Sequence, residues 1–196
     1  ISDVTTAIGV MFLILALFAP FGGALMLRLG ITKVAVTSCT LIILGLILTV
    51  NATQTWHLYF SIGVCLGIAS GILGLGLAAT VATRWFETRR GLVVGILTSA
   101  FAAGQLAFVP ITAWLTTRFE CQFSILPILI GACLCAVLFF LFGKNWPSDL
   151  DVAPYGSDEL FMPPNTSKTN PFLTSISYFL EAIKHPAFWV LAITFF

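Results

Sequence analysis

Long apolar runs alternate with short polar segments along most of this chain. Five runs can be delimited, and each is close to the roughly 20 residues that a helix needs to cross a bilayer. They are Val4–Met26, Val34–Val50, Leu58–Thr83, Gly91–Thr116 and Phe123–Gly143. A sixth run begins at Ala187 and reaches Phe196, about ten residues short of a crossing. The pattern predicts an all-α, polytopic membrane protein with five transmembrane helices and a truncated sixth.

The composition supports lipid as the main solvent of this chain. Hydrophobic residues make up 59% of it and charged residues only 9%, whereas an ordinary soluble domain carries roughly 25% charged residues. The net charge of +1 gives no sign of a nucleic-acid partner. Ile1 is not a methionine and the sixth run is short, so we expect both ends to be cut.

The positive charges fix an orientation. Arg118 stands alone in its linker, and the other eight basic residues lie in alternate linkers: Arg28, Lys33, Arg84, Arg89, Arg90, Lys144, Lys168 and Lys184. By the positive-inside rule, loops 27–33, 84–90 and 144–186 are cytoplasmic. We therefore expect a multi-pass protein of the plasma (inner) membrane whose first visible span runs from outside to inside.

The chain divides into three parts on this pattern. Residues 1–143 form a transmembrane bundle, 144–186 a polar cytoplasmic linker, and 187–196 the start of a further span. Within the linker, Asn170 and Pro171 resemble a helix start and His185-Pro186 a stop. The spacing predicts a short helix near 171–184 on the membrane surface.

Three motifs, in order, carry a resemblance to a known family. Gly23–Gly30, followed by Lys33, resembles the G-x-x-x-D-[RK]-x-G hairpin after the second helix of major facilitator superfamily transporters. Arg84–Leu92 resembles the loop between helices four and five of the monocarboxylate-porter-like branch. Pro147–Gly156 and Phe188–Ala192 resemble the segment after helix six and the start of helix seven in its bacterial members.

The resemblance implies helices two to the start of seven of a twelve-helix transporter. Its partners would be the lipid bilayer, a small organic solute, and the missing first helix and C-terminal half of the same protein. A secondary transporter working by alternating access is implied, with a monocarboxylate as one candidate solute. Two positions depart from the family: Leu27 replaces the usual hairpin aspartate, and Gly63 stands where many relatives carry an arginine.

Polar residues near span centres are the candidates for solute contact. Thr98, Gln105 and Thr112 recur every seven residues and share one helix face, with Phe101 and Phe108 alongside. This face is predicted to line the solute cavity. An interhelical hydrogen bond remains the alternative for Gln105, and a bond to the helix's own backbone the alternative for both threonines.

Two further groups have a structural and a functional interpretation. Small residues at four-residue intervals predict close helix packing: Gly63, Gly67 and Gly71 on one span, and Gly91, Gly95 and Ser99 on the next. The cytoplasmic hairpin or gate candidates are Gly23, Arg28, Gly30, Lys33, Arg84, Glu87, Arg89 and Arg90. Glu87 has helical three-residue spacing to Arg84 and Arg90, and topology anchoring is the alternative for this loop.

The sequence indicates neither a catalytic site, a metal site nor a cofactor. A membrane-embedded enzyme would need ionisable groups that converge inside the bilayer. Between Val4 and Gly143, every charged residue lies in a linker or at a span end. A non-transporting fragment or scaffold is the other alternative, and the flanking sequences would decide it.

The predicted orientation can be tested by labelling. Single cysteines placed in loops 27–33 and 84–90 are expected to resist an impermeant thiol reagent in intact cells, because both loops face the cytoplasm. Ready labelling at both loops would show that they face the outside, which is the reverse of the predicted topology.

Overall fold

The computed structural model describes residues 2–119, 121–156, 176–177, 180–181 and 183–195. Its main helices are α1 Ser2–Leu29, α2 Ile31–Val50, α3 Thr55–Trp85, α4 Arg90–Arg118, α5 Leu126–Phe142 and α6 Pro186–Phe195. Five helical segments, one of which joins the turn Cys121–Ile125 to α5, are long and apolar enough to cross a membrane. The predicted all-α class and the five spans are confirmed. The surface helix predicted near 171–184 lies mostly outside the described residues.

A glycine makes the sharp turn between α1 and α2 possible. Gly30 has φ of 89°, in the left-handed region that side chains disfavour. Its N–H donates to the carbonyl oxygen of Met26 at 3.1 Å, which closes the last turn of α1. The next helix begins at once with Ile31.

Helix α3 is not uniform along its length. It begins as an α-helix at Thr55–Leu58, continues as a π-helix over Tyr59–Leu66, and returns to an α-helix at Gly67–Trp85. Its backbone is kinked at Gly74, where φ is −24° and ψ is −139°. The kink divides Gly67–Trp85 into one segment before Gly74 and a second segment after it.

One polar contact joins α2 to the π-helical part of α3. Ser61 is fully buried, and its hydroxyl accepts a hydrogen bond from the Thr49 hydroxyl at 3.1 Å. Thr49 also donates to the carbonyl oxygen of Gly45 on its own helix at 2.8 Å. The buried serine hydroxyl therefore has a partner, as an apolar environment requires.

Glycines allow α1 and α3 to pack closely. A Cβ atom placed on Gly63 would lie 3.0 Å from Val10 Cγ1, and one on Gly67 3.0 Å from the carbonyl oxygen of Met11. One on Gly71 would lie 2.7 Å from the carbonyl oxygen of Leu15. The three glycines therefore leave no free space for a larger side chain on this face of α3.

The corresponding small residues of α4 have a different environment. A Cβ atom placed on Gly91 or Gly95 would meet nothing within 4 Å in the described structure. Ser99 is exposed, and its hydroxyl donates to Ile96 of its own helix. Packing at these three positions stays a prediction.

The buried core lies where α1, α2 and α3 meet near the Gly30 turn. Met26, Ile31 and Val34 form it, and they contact the partly buried side chains of Leu25, Ile72, Leu77, Val81 and Phe139. Helix α4 contacts the Gly67–Trp85 part of α3 and the short turn Cys121–Ile125. No residue in the most apolar stretch of α4 or α5 is buried within the described structure.

The glycine contact between α1 and α3 predicts a stability difference. In the full-length protein, Gly71→Ala is expected to destabilise the fold by about 1–3 kcal/mol, because the new methyl group overpacks against Leu15. Gly9→Ala is the matched control, since a Cβ atom on Gly9 meets nothing within 4 Å. Thermal unfolding in detergent measures both variants. Equal unfolding temperatures would contradict the close packing.

Candidate cytoplasmic gate and solute face

Arg84 lies buried at the C-terminal end of α3, with 5% of its surface exposed. Its Nη2 donates to the carbonyl oxygen of Met26 at 2.9 Å, and its Nη1 to the carbonyl oxygen of Asn145 at 3.3 Å. The guanidinium carbon lies 4.2 Å from the centre of the Trp146 ring. One side chain therefore joins α1, α3 and the segment that follows α5.

Two backbone carbonyl oxygens and the face of one aromatic ring contact this buried cation. Met26 lies in the last turn of α1, where the negative end of the helix dipole favours a cation, and its carbonyl oxygen accepts from Arg84 in addition to the N–H of Gly30. The Trp146 ring adds a cation–π contact, which is stronger when water is excluded. Arg84 Nε is buried and has no hydrogen-bond partner within the described part of the chain.

Asn145 connects the same region to α2. Its side-chain oxygen accepts a hydrogen bond from the N–H of Thr32 at 3.1 Å, in the first turn of α2, where backbone donors have no helical partner. The amide group lies so close to Gly30 that a Cβ atom there would collide with it. Gly30 is thus required both by its positive φ and by the space that Asn145 occupies.

Asp149 orders the chain that carries Asn145 and Trp146. Its carboxylate oxygen Oδ2 accepts hydrogen bonds from the N–H groups of Asn145 at 3.2 Å and Trp146 at 3.0 Å. A short 3-10 helix, Pro147–Leu150, follows, and the Pro147 side chain is fully buried. The start of the predicted linker is therefore packed against the bundle.

Tyr155 attaches the end of this segment to the loop after α3. Its N–H donates to the carbonyl oxygen of Trp85 at 2.9 Å, and its carbonyl oxygen accepts from the N–H of Glu87 at 3.0 Å. The Phe86 and Tyr155 rings lie 5.9 Å apart, centre to centre. The pair forms an isolated parallel β-bridge.

The structure separates the gate candidates into two groups. Gly30 and Arg84 lie in the cluster around Asn145, as described above. The side chains of the other charged candidates are exposed: Arg28, Lys33, Glu87, Arg89 and Arg90. Gly23 lies within α1, and a Cβ atom there would meet nothing within 4 Å.

The expected helical pairing of Glu87 with two arginines is wrong. Helix α3 ends at Trp85, Phe86 is extended, and Arg89 has φ of 58°. The three-residue spacing therefore does not follow a helix here. Arg90 donates instead from Nε to the carbonyl oxygen of Phe86 at 2.7 Å.

The predicted solute face lies on an open side of α4. Gln105 and Phe101 are exposed in the described structure. The Thr98 hydroxyl donates to Val94, and the Thr112 hydroxyl to Phe108, both at 2.9 Å and both within the helix. No described helix closes a cavity over this face.

Phe108 differs from the other candidates on this face because its ring lies toward α5. A Cβ atom placed on Gly131 would lie 3.6 Å from the ring. Phe108 therefore contributes to the contact between α4 and α5. Its role as a cavity residue stays a hypothesis.

An apolar cavity of about 310 Å³ lies at the other end of the bundle, between α2 and the start of α5. Asn51 is the polar residue in its lining, and its Nδ2 already donates to the carbonyl oxygen of Ile47 at 2.8 Å. The cavity lies at the end of α2, away from the span centres where secondary transporters bind their solutes. It is therefore not a candidate for the solute site.

Comparison with known proteins assigns the fold to a family. The family model of the Major Facilitator Superfamily matches residues 1–196. The chain is 29% identical over 198 residues to the uncharacterized MFS-type transporter YhjX of Escherichia coli, covering 100% of this chain and 44% of that protein. It is 34% identical over 108 residues to monocarboxylate transporter 13 of Rattus norvegicus, covering 55% of this chain and 25% of that protein.

A fungal protein gives a third match. The chain is 36% identical over 75 residues to an MFS-type transporter of Gibberella zeae, covering 37% of this chain and 17% of that protein. The chain thus spans less than half the length of each of these relatives. Because the family model covers all of its residues, the chain belongs to the major facilitator superfamily.

Proposed function

We propose that the full-length protein is a secondary active transporter that moves a small organic solute by alternating access. The match of the family model to the whole chain carries this proposal. The bundle described here would be most of one half of the transporter, and the solute would bind near the bilayer midplane between the two halves. Monocarboxylates are the first solute class to test, because monocarboxylate transporter 13 is among the similar proteins.

The open face of α4 is the part of this chain that we assign to solute contact. An amide group in hydrocarbon is costly unless a partner or water satisfies it. Gln105 is exposed, and no described residue bonds its side chain. A water-containing cavity between the two halves would provide that partner.

The enzyme alternative has little support from the spans. Catalysis inside the bilayer would need several ionisable or nucleophilic groups in one place. The described residues contain no cluster of three or more His, Cys, Asp or Glu side chains that could hold a metal ion. Arg84, the buried cation at the inner end of α3, is bonded to two backbone carbonyl groups.

Transport by the full-length protein can be measured in proteoliposomes. We expect saturable uptake of radiolabelled lactate or pyruvate, with inhibition by other short monocarboxylates and none by a neutral sugar. Empty liposomes are the control. Uptake of every tested acid at the level of empty liposomes would contradict the monocarboxylate assignment, and saturable uptake of another organic solute would retain the transporter and change its substrate class.

Gln105→Leu tests the solute face in the same assay. We expect the variant to lose most uptake with nearly unchanged expression and thermal stability, because the lost amide contacts solute or cavity water. The control is Leu106→Ala, a change at the exposed neighbouring position of α4. An amide that only joins helices would give the opposite pattern, since such bonds contribute about 0.6 kcal/mol to membrane-protein stability. A Gln105→Leu variant that transports normally would move the site elsewhere.

A further inference from the structure

We propose that residues 144–156 form a clasp, held by Arg84, that joins the cytoplasmic ends of α1, α2 and α3 into one mechanical unit. The sequence pattern predicts that this segment is the start of a polar cytoplasmic linker between the two halves. Its contacts instead make it a part of the first half. The proposal concerns how force and motion pass from the linker into the bundle, and it holds whatever solute is carried.

The clasp is attached at three separate places. Arg84 bonds the carbonyl oxygen of Asn145 and stacks on Trp146, at the end of α3. The Asn145 side chain bonds the first turn of α2 through the N–H of Thr32. Ten residues later, Tyr155 bonds both Trp85 and the loop after it through the backbone. Both ends of the clasp are therefore fixed to the bundle.

Arg84 is the element that makes these attachments depend on one another. Its planar fork reaches Met26 of α1 and Asn145 of the clasp at once, whereas an ammonium group on a flexible stem is a point charge without this geometry. If the guanidinium is lost, α1 loses its link to the clasp and Asn145 loses one of its two fixed points. We therefore expect Thr32 and Tyr155, neither of which bonds Arg84, to respond to a change there.

The kink in α3 gives the clasp a mechanical consequence. The part of α3 before Gly74 packs on α1 through Gly63, Gly67 and Gly71. The part after the kink runs from Gly74 to Trp85. Arg84 holds the far end of that second part to α1 and to the clasp. A pull along the linker beyond Gly156 would thus act on α1 and α3 together, and would not bend α3 alone at its kink.

Hydrogen exchange on the full-length protein, resolved to single amides, tests the clasp. In Arg84→Gln, exchange at the N–H groups of Asn145, Trp146, Thr32 and Tyr155 is expected to rise about tenfold or more, because charge-assisted bonds in a desolvated site are lost and the segment opens as a unit. In Arg84→Lys, the exchange rates of the same amides are expected to lie between those of Arg84→Gln and those of the parent protein. Arg28→Gln removes the same charge from an exposed position nearby and is expected to leave these amides unchanged.

The set of amides that exchange faster in Arg84→Gln distinguishes a clasp from a local contact. Faster exchange at Asn145 and Trp146 alone would show only a local contact and would overturn the clasp, as would equal exchange in Arg84→Gln and Arg28→Gln. Amides in the centre of α2 serve as the internal control for intact folding. If Arg84→Gln does not yield folded protein, Asn145→Ala and Asp149→Asn replace it in the test. Each is expected to speed exchange at Tyr155, and failure of either variant to do so overturns the proposal.

Discussion

A guanidinium group at the edge of a membrane must find acceptors close by, because hydrocarbon offers none and a buried charge without partners is costly. Arg84 satisfies most of this need with the carbonyl oxygens of Met26 and Asn145 and the face of Trp146. The acceptors come from different parts of the chain. Meeting the requirement of one side chain therefore fixes the turn between α1 and α2, the end of α3 and the chain after α5 relative to one another.

The membrane-spanning parts of α1, α2 and α3 meet a second requirement. Their backbones must approach closely, which bulky side chains would prevent. Helix pairs in lipid gain little from the hydrophobic effect and depend on packing and on interhelical hydrogen bonds. Close packing between α1 and α3 depends on Gly63, Gly67 and Gly71. The interhelical hydrogen bond between α2 and α3 joins Thr49 to Ser61. Among the described residues, helix α4 has neither kind of contact along its most apolar stretch, and it presents the candidate solute face.

The sequence predicted the spans well because apolar length is a property of composition alone, which needs no knowledge of contacts. The break at Gly30 was also visible in it, as part of a hairpin motif. It did not predict the burial of Arg84, because a basic residue at a span end has the same pattern whether it faces water or protein. Nor did it reveal the role of Asn145, whose side chain bonds Thr32 far away in the sequence. Asp149 was missed as well, because its bonds to the N–H groups of Asn145 and Trp146 are local but follow no helical or strand periodicity.

The incorrect Glu87 pairing has a similar physical cause. Three-residue spacing brings side chains together only while the helix continues, and the backbone turns extended at Phe86. The bridge to Tyr155 that replaces the helix there joins residues far apart along the chain, and no local periodicity encodes it. The contact of the Trp146 ring with the Arg84 guanidinium likewise joins residues far apart along the chain.

If the clasp holds, residues 144–156 move together with the bundle of α1, α2 and α3. Spin labels at Lys33 in α2 and Val152 in the clasp, both exposed, report on this motion through their distance in the full-length protein. We expect one narrow distance distribution that stays the same with and without added solute. A broad distribution, or one that shifts when solute is added, would contradict it.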